Sequence, residues 1–369
     1  MERLADYTQS LKDRQARRTI ARTFTCLARA NGVPEMAANY ARSRRDWADV
    51  EQIIRPLMAA VPGHTTSSDP ALIGVLSNDV MSVVRPLTIL GRLPVRVTSF
   101  SAALTYMNGG TSSAWVGEGQ AVPVSRASFS RLATPLDRLQ NVAFSVEDLE
   151  LVKTADPAAE MVIAQDFVTA CVAGIDTSFI DPQSAAIAGI RPASVTNGAP
   201  AFASSGSTAA LFDADFGRMI ESLLARGSTL QAAYWVMHPI TVLFLARLLN
   251  VNGDRAYPLL SVRTGGELLG LPVIVSASVP HVGSPPSTSI YLVDAERIWV
   301  AQDPTVELSI SQRGAVQMLD NPTGSIAPPT ATTLVSLFQT NSVALRGTRT
   351  INWKIADPGF ACVLNNVVD

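Results

Sequence analysis

Three histidines, three cysteines and one cluster of carboxylates are the side chains here that could do chemistry, and their spacing argues against it. His64, His238 and His281 stand far apart. None falls in an HExxH pattern or at metal-ligand spacing from a cysteine. Cys26, Cys171 and Cys362 are odd in number and widely spread, which reads as reduced thiols in a cytoplasmic chain. There is no GxSxG elbow and no GxxxxGK[ST] phosphate loop. GEGQAV (117–122) and TGGELLGLP (264–272) both miss the GxGxxG spacing of a dinucleotide site. Asp137, Glu147, Asp148 and Glu150 cluster, but Ser145-x-x-Asp148 reads more simply as a capping box opening a short helix. His238-Pro239 sits at a strand-to-helix junction, where the ring serves the helix start. No catalytic residue, cofactor or metal site is expected, and the chain reads as a non-enzyme.

The composition points toward association. Of 369 residues, 47% are hydrophobic and only 16% charged, below the quarter or so usual for a soluble domain. Low charge with this much apolar surface suits a protein covered by partners. The net charge of −2 carries no global nucleic-acid signature. Three of the 29 basic residues are lysine (Lys12, Lys153 and Lys354), so 26 are arginine. The first residues, MERLADYTQSLKDRQARR, lack the apolar centre of a signal peptide. No apolar run approaches 18 residues, so no membrane contact is expected.

The positioning elements follow from periodicity. Residues 1–60 read as basic helices: Leu4, Tyr7 and Leu11, then Ile20, Phe24 and Leu27, and after a Gly32–Pro34 break Trp47, Val50 and Ile54, recur at helical spacing. Arg14, Arg18 and Arg22, with Arg17 beside them, stack on one face. They are candidate contacts for DNA or a scaffolding partner, or an ordinary solvated face. PGHTTSSDP (62–70) reads as a linker, with Asp69 and Pro70 opening a helix. VRVTSF (95–100) reads as a strand. After Asp156-Pro157, the residues Met161, Ala164, Val168, Cys171, Val172, Ile175 and Phe179 form one stripe. About 22 residues at this spacing make a helix about 33 Å long. Asp213 is placed as the cap of a helix carrying Phe216, Met219 and Leu223, ended by Gly227. AAYWVM (232–237), a helix over Pro239–Leu249, and strands LPVIVS, SIYLV and RIWVA follow.

Residues 114–129, AWVGEGQAVPVSRASF, resemble a long hairpin arm with nothing of its own to bury. Trp115, Val116, Val122, Val124 and Phe129 are scattered among Gly117, Gly119 and Pro123, which is turn and edge chemistry. A lone two-stranded hairpin is marginal in water, so its apolar groups point to a neighbouring copy.

Read with FSVEDLELVKTADPAAEMVIAQDFVTACVAGIDTSFI (144–180), YWVMHPITVLFLARLLNVNGDRAYPLL (234–260), GGELLGLPVIVSASVP (265–280), IYLVDAERIWVAQD (290–303) and FQTNSVALRGTRTINWKIADPGFACVL (338–364), this arm resembles the major capsid proteins of tailed double-stranded DNA phages. The resemblance covers roughly residues 70–365. It implies an α+β, Hong-Kong-97-type capsid fold with six parts. These are an N-terminal helical arm (1–70), a first peripheral part (71–110) and an extended hairpin arm or E-loop (111–145, tip about 117–124). A spine helix with a second peripheral part (146–200), an axial domain (201–302) and a third peripheral part (303–369) follow. The loop AAIAGIRPASV only loosely matches a glycine-containing stretch of the family, and residues 1–60 are short for a cleaved scaffolding segment.

What the resemblance implies for function is a virion shell subunit assembled in the bacterial host cytoplasm, forming hexamers and pentamers around packaged double-stranded DNA. Its partners would be copies of itself, with portal, scaffolding or decoration proteins besides. Trp115, Glu118, Val122, Pro123, Arg126, Phe129 and Arg131 become inter-subunit contact candidates. Trp115, Val122 and Phe129 would rest on a neighbour's spine helix (Met161, Val168, Val172, Ile175, Phe179) or peripheral sheet. Some family members join an arm lysine to an asparagine on a neighbour. The matching positions here are Val122 and, approximately, Thr333, and no lysine lies between Lys12 and Lys153. No covalent mesh by that route is expected. Two other readings are a cargo compartment shell of the encapsulin type and a soluble α+β enzyme.

Overall fold

The computed structural model describes residues 34–44, 87–102, 104–109, 115–116, 128–133, 136–148, 157–282, 287–312, 314–318 and 334–368, with isolated positions between 19 and 50. Over 105–109, 128–133, 157–165 and 304–310 the backbone course is what is described. The chain divides into two compact units, each discontinuous. The first holds residues 1–92, 140–176 and 303–350; the second holds 93–139, 177–302 and 351–369.

In chain order the helices and strands begin with α1 (Pro34–Arg42), α2 (Ile89–Arg92), β1 (Arg96–Thr98), β2 (Leu104–Gly109), β3 (Ser128–Ala133), β4 (Gln140–Asp148) and the long α3 (Pro157–Ile180). Next are β5 (Ala201–Ala203), α4 (Ala209–Ala225), β6 (Ala233–Met237), α5 (Pro239–Arg247), β7 (Leu260–Ser261), β8 (Gly265–Leu268), β9 (Leu271–Val275) and β10 (His281–Val282). The series closes with β11 (Ser287–Asp294), β12 (Ile298–Ser311), β13 (Ala315–Val316), β14 (Val335–Ser336), β15 (Ser342–Ile355) and β16 (Ala361–Val368).

The second unit is built on an eight-stranded mixed sheet of order β5-β16-β11-β6-β9-β8-β7, with β10 beside β11. Ile290, Tyr291, Leu292 and Val293 of β11 are all buried. A central strand covered on both faces loses the alternation of a half-exposed one. Phe216 and Met219 of α4 and Val242 and Leu245 of α5 pack with Trp235 of β6 and Leu292 into the main core. The Trp235 indole N–H donates to the Leu268 carbonyl at 3.1 Å, so its one polar atom is satisfied.

Three strand assignments differ from the sequence reading. β16, expected to return to the peripheral part, lies between β5 and β11 in this large sheet. RIWVA, grouped with the axial strands, opens β12, which joins a four-stranded sheet of order β1-β12-β15-β4. Residues 128–144, read as one returning strand of the arm, are two strands in different sheets, β3 and β4. The reason is the same each time: side-chain periodicity marks a strand but not its partner.

Local chemistry also moved two caps. Asp213 lies inside α4, whose N-cap position is Thr208; the Asp213 carboxylate instead accepts the Tyr257 hydroxyl at 2.7 Å. Ser145-x-x-Asp148 is not a capping box but part of β4, paired with β15 from Ser342 opposite Asp148 to Thr350 opposite Gln140. The glycine-rich TGGELLGLP is a β-hairpin. Strands β8 and β9 join through Leu269 and Gly270, both at positive φ (50° and 76°), the conformation of a tight primed turn. Gly265 is required for space as well, since a Cβ there would overlap the Val273 carbonyl.

In the first unit, Ala37, Ala38 and Ala41 of α1 pack with Cys26, Ala30 and Val50. On α3 the buried Asp176 carboxylate accepts the Ile89 backbone N–H at 2.8 Å, tying α2 to the long helix.

Candidate assembly surfaces

β2 and β3 make a two-stranded sheet of their own, with Thr105 opposite Arg131 and Met107 opposite Phe129. The base of this hairpin is anchored, because Leu104 is buried with Leu136, Trp299 and Ala301. Between the two strands, Trp115 is 105% exposed, and Val116 is exposed beside it. Full exposure of an indole is unusual for the largest apolar side chain. Phe129 and Arg131 are thus on β3, while Glu118, Val122, Pro123 and Arg126 lie outside the described residues.

The stripe expected on α3 faces inward. Val168, Ile175 and Phe179 are buried, and Val172 and Cys171 are half-buried. Met161 is on the helix, its side chain outside what is described. The Phe179 ring meets the Trp353 ring edge-on at 5.4 Å. The stripe is therefore core, and the outward face of α3 is small and polar: Asp166, Thr169, Ala170, Ala173 and Gly174 are exposed. Within the same unit, β4 carries Val142 and Phe144 at 44% and 51% exposure. Sequence reasoning missed this pair as a surface. The alternation in QNVAFSVE was the signal, but it was spent on the arm.

The basic N-terminal face is partly accounted for. The Arg22 guanidinium lies 5.3 Å from the Trp47 ring centre, a cation–π contact inside the unit. Arg14, Arg17 and Arg18 fall outside the described residues, as do Thr333, the linker 62–70 and the helix placed after Pro70.

Burial pushes the Cys171 thiol up to about 11, against the nearby Arg349 charge, and the Cys362 thiol up to about 12. Neither is a thiolate nucleophile at neutral pH. His238 takes the junction role read from the sequence: its Nδ1 accepts the Ile240 backbone N–H at 3.2 Å at the start of α5, and its ring stacks on His281 with centroids 4.9 Å apart. Among the described residues, no three His, Cys, Asp or Glu side chains are grouped to hold a metal. No described helix is long and apolar enough to cross a membrane.

The model of the phage capsid family matches residues 79–366. A curated relative, the "Capsid polyprotein" of Pseudomonas phage PAJU2, is 34% identical over 351 residues, covering 90% of this chain. The chain spans about half (51%) of that relative's length. Among solved structures, a chain of Gordonia phage Cozz aligns with a TM-score of 0.53 at 15% identity, over 78% of this chain and 87% of that one. One of Mycobacterium phage Ogopogo aligns with a TM-score of 0.53 at 18% identity, over 76% and 92%. The chain belongs to the phage capsid family and is a structural protein of the phage capsid.

Proposed function

We propose that this chain is the shell subunit of an icosahedral phage head, assembling as hexamers and pentamers around double-stranded DNA with no covalent mesh. In this reading the fold is of the Hong-Kong-97 type. β2–β3 is the base of the E-loop, α3 the spine helix, and the eight-stranded sheet with α4 and α5 the axial domain. The carrying observation is the fully exposed Trp115 beyond a hairpin that pairs with no other described strand. Such a group gains from a neighbour what its own subunit does not supply, about 1.5–3 kcal/mol per large apolar side chain buried. The exposed Val142–Phe144 face of β4 and the small-residue face of α3 are landing surfaces for Val122 and Phe129 of the next subunit. Many such modest contacts around a closed lattice sum to high avidity. Portal, scaffolding and decoration proteins are further partners in this reading.

Light scattering and electron microscopy of the purified protein test this reading. Capsomers and closed shells are expected; a stable monomer or small oligomer at all concentrations would refute it. Double-stranded DNA inside particles recovered from infected cells would decide for a virion, and an enzyme cargo for a compartment.

A further inference from the structure

The second unit contains a cavity of about 500 Å³ whose floor and rim are separate in character. Leu136, Leu139, Pro192, Trp353, Ile355 and Pro358 supply apolar wall. The polar groups of that wall are committed to building it. Asn352 Nδ2 donates to the Asp137 carbonyl at 2.8 Å, Asn197 Nδ2 to the Pro182 carbonyl at 2.9 Å, and the Trp353 indole N–H to the Ala193 carbonyl at 2.9 Å. Two cations on the lining, Arg191 and Lys354, are not so committed. The Arg191 Nε is buried with no hydrogen-bond partner among the described residues, and Lys354 makes no ion pair among them. The one acid of the lining, Asp137, is exposed. A buried donor without an acceptor is costly, so the site is short of one hydrogen-bond acceptor beside two cations.

The rim is held rigidly. Ile187 and Arg191 exchange both backbone hydrogen bonds, at 3.0 and 3.1 Å, across a turn in which Gly189 takes φ +74°. That turn presents Ile187 at 44% and Ile190 at 66% exposure. The volume lies within the range of about 300–1,000 Å³ typical of ligand sites. It asks for a large apolar group followed closely by a carboxylate.

This chain carries such a segment. Trp115 is fully exposed, so it does not fill its own subunit's cavity, and Glu118 follows three residues later across Gly117. We propose that the cavity is the receptor for the arm of a second copy, taking Trp115 against its apolar wall and Glu118 onto Arg191 and Lys354. The inference rests on the assembly reading above and narrows it to one receptor site.

The test uses the full-length chain. Arg191→Glu/Lys354→Glu is expected to raise the critical concentration for assembly about tenfold or more, and adding Glu118→Arg to that variant is expected to restore assembly. Val116→Cys/Ile187→Cys, which keeps the Trp115 anchor and uses two exposed positions, is expected to give inter-subunit crosslinks on a non-reducing gel when assembled particles are oxidised. If the triple charge swap assembles no better than Arg191→Glu/Lys354→Glu and no crosslink forms, the receptor assignment is overturned. Circular dichroism checks folding; should the charge variants unfold, the crosslink alone decides. Trp115→Ala separates the two claims. Weakened assembly without rescue or crosslink leaves the arm reading standing and removes this site, whereas undiminished assembly removes both.

Discussion

Replacing Trp115 by alanine should separate folding from assembly more cleanly than any other single change. The side chain is 105% exposed in the subunit, so its removal uncovers no core of the described residues. Surface changes of this kind alter folding stability by no more than about 0.5 kcal/mol. In a shell, by contrast, burying the indole contributes on the order of 2–3 kcal/mol per subunit. Losing that raises the critical concentration by about 30- to 150-fold, and the lattice multiplies the deficit. Adding Phe129→Ala extends the loss along the same arm, where Phe129 sits opposite Met107. The assay pairs thermal unfolding of the unassembled subunit with light scattering against concentration. An unchanged melting temperature with a displaced assembly curve is expected. Assembly at the wild-type concentration would refute the arm's role, and a large drop in melting temperature would show that Trp115 serves its own subunit.

Other consequences concern the body of the subunit. Leu269 holds φ 50° at 50% exposure in the β8–β9 turn; Leu269→Asn should stabilise the subunit by roughly 1 kcal/mol in urea unfolding, by relieving a left-handed leucine, and a loss of stability would refute that strain. Tyr257→Phe removes the 2.7 Å hydrogen bond to the exposed Asp213 carboxylate, which water can then solvate, and should cost about 0.5–1.5 kcal/mol, read as a lower melting temperature; an unchanged value would count against it. Burial by itself raises the Asp215 carboxyl, but the Ser205 amide and hydroxyl and the Arg218 guanidinium override it and leave its pKa below the ordinary value. Its stabilisation is therefore complete above the unfolded value of about 3.9 and fades as pH falls through the folded one. Acid unfolding of Asp215→Asn should start from lower stability at neutral pH and fall less steeply below about pH 4; parallel curves for the two proteins would disprove this linkage.

Much of the fold was legible where local rules suffice. The helix read from Asp156-Pro157 is α3, starting at Pro157, because proline suits a first turn and the stripe through Val168, Ile175 and Phe179 repeats at helical spacing. His238 at the start of α5 was legible for the same reason, as a strand-to-helix junction offers unpaired backbone N–H groups. Caps were less legible: Asp213 is a good N-cap by residue type, yet Tyr257, 44 residues on, claimed its carboxylate. The surfaces were least legible. Val142 and Phe144 look like core in any list of residues, and only the sheet's covering decides that they are outside.

The residue order alone determined the long helix, through a proline at its start and an apolar stripe at helical spacing. Tertiary structure decided which sheets received β12 and β16, where an unpaired Arg191 Nε came to line a cavity, and that Trp115 stands free of its own body. The physical reason is range. Periodicity and capping act over a few residues, whereas strand partners, burial and unsatisfied charge depend on segments brought together from across the chain.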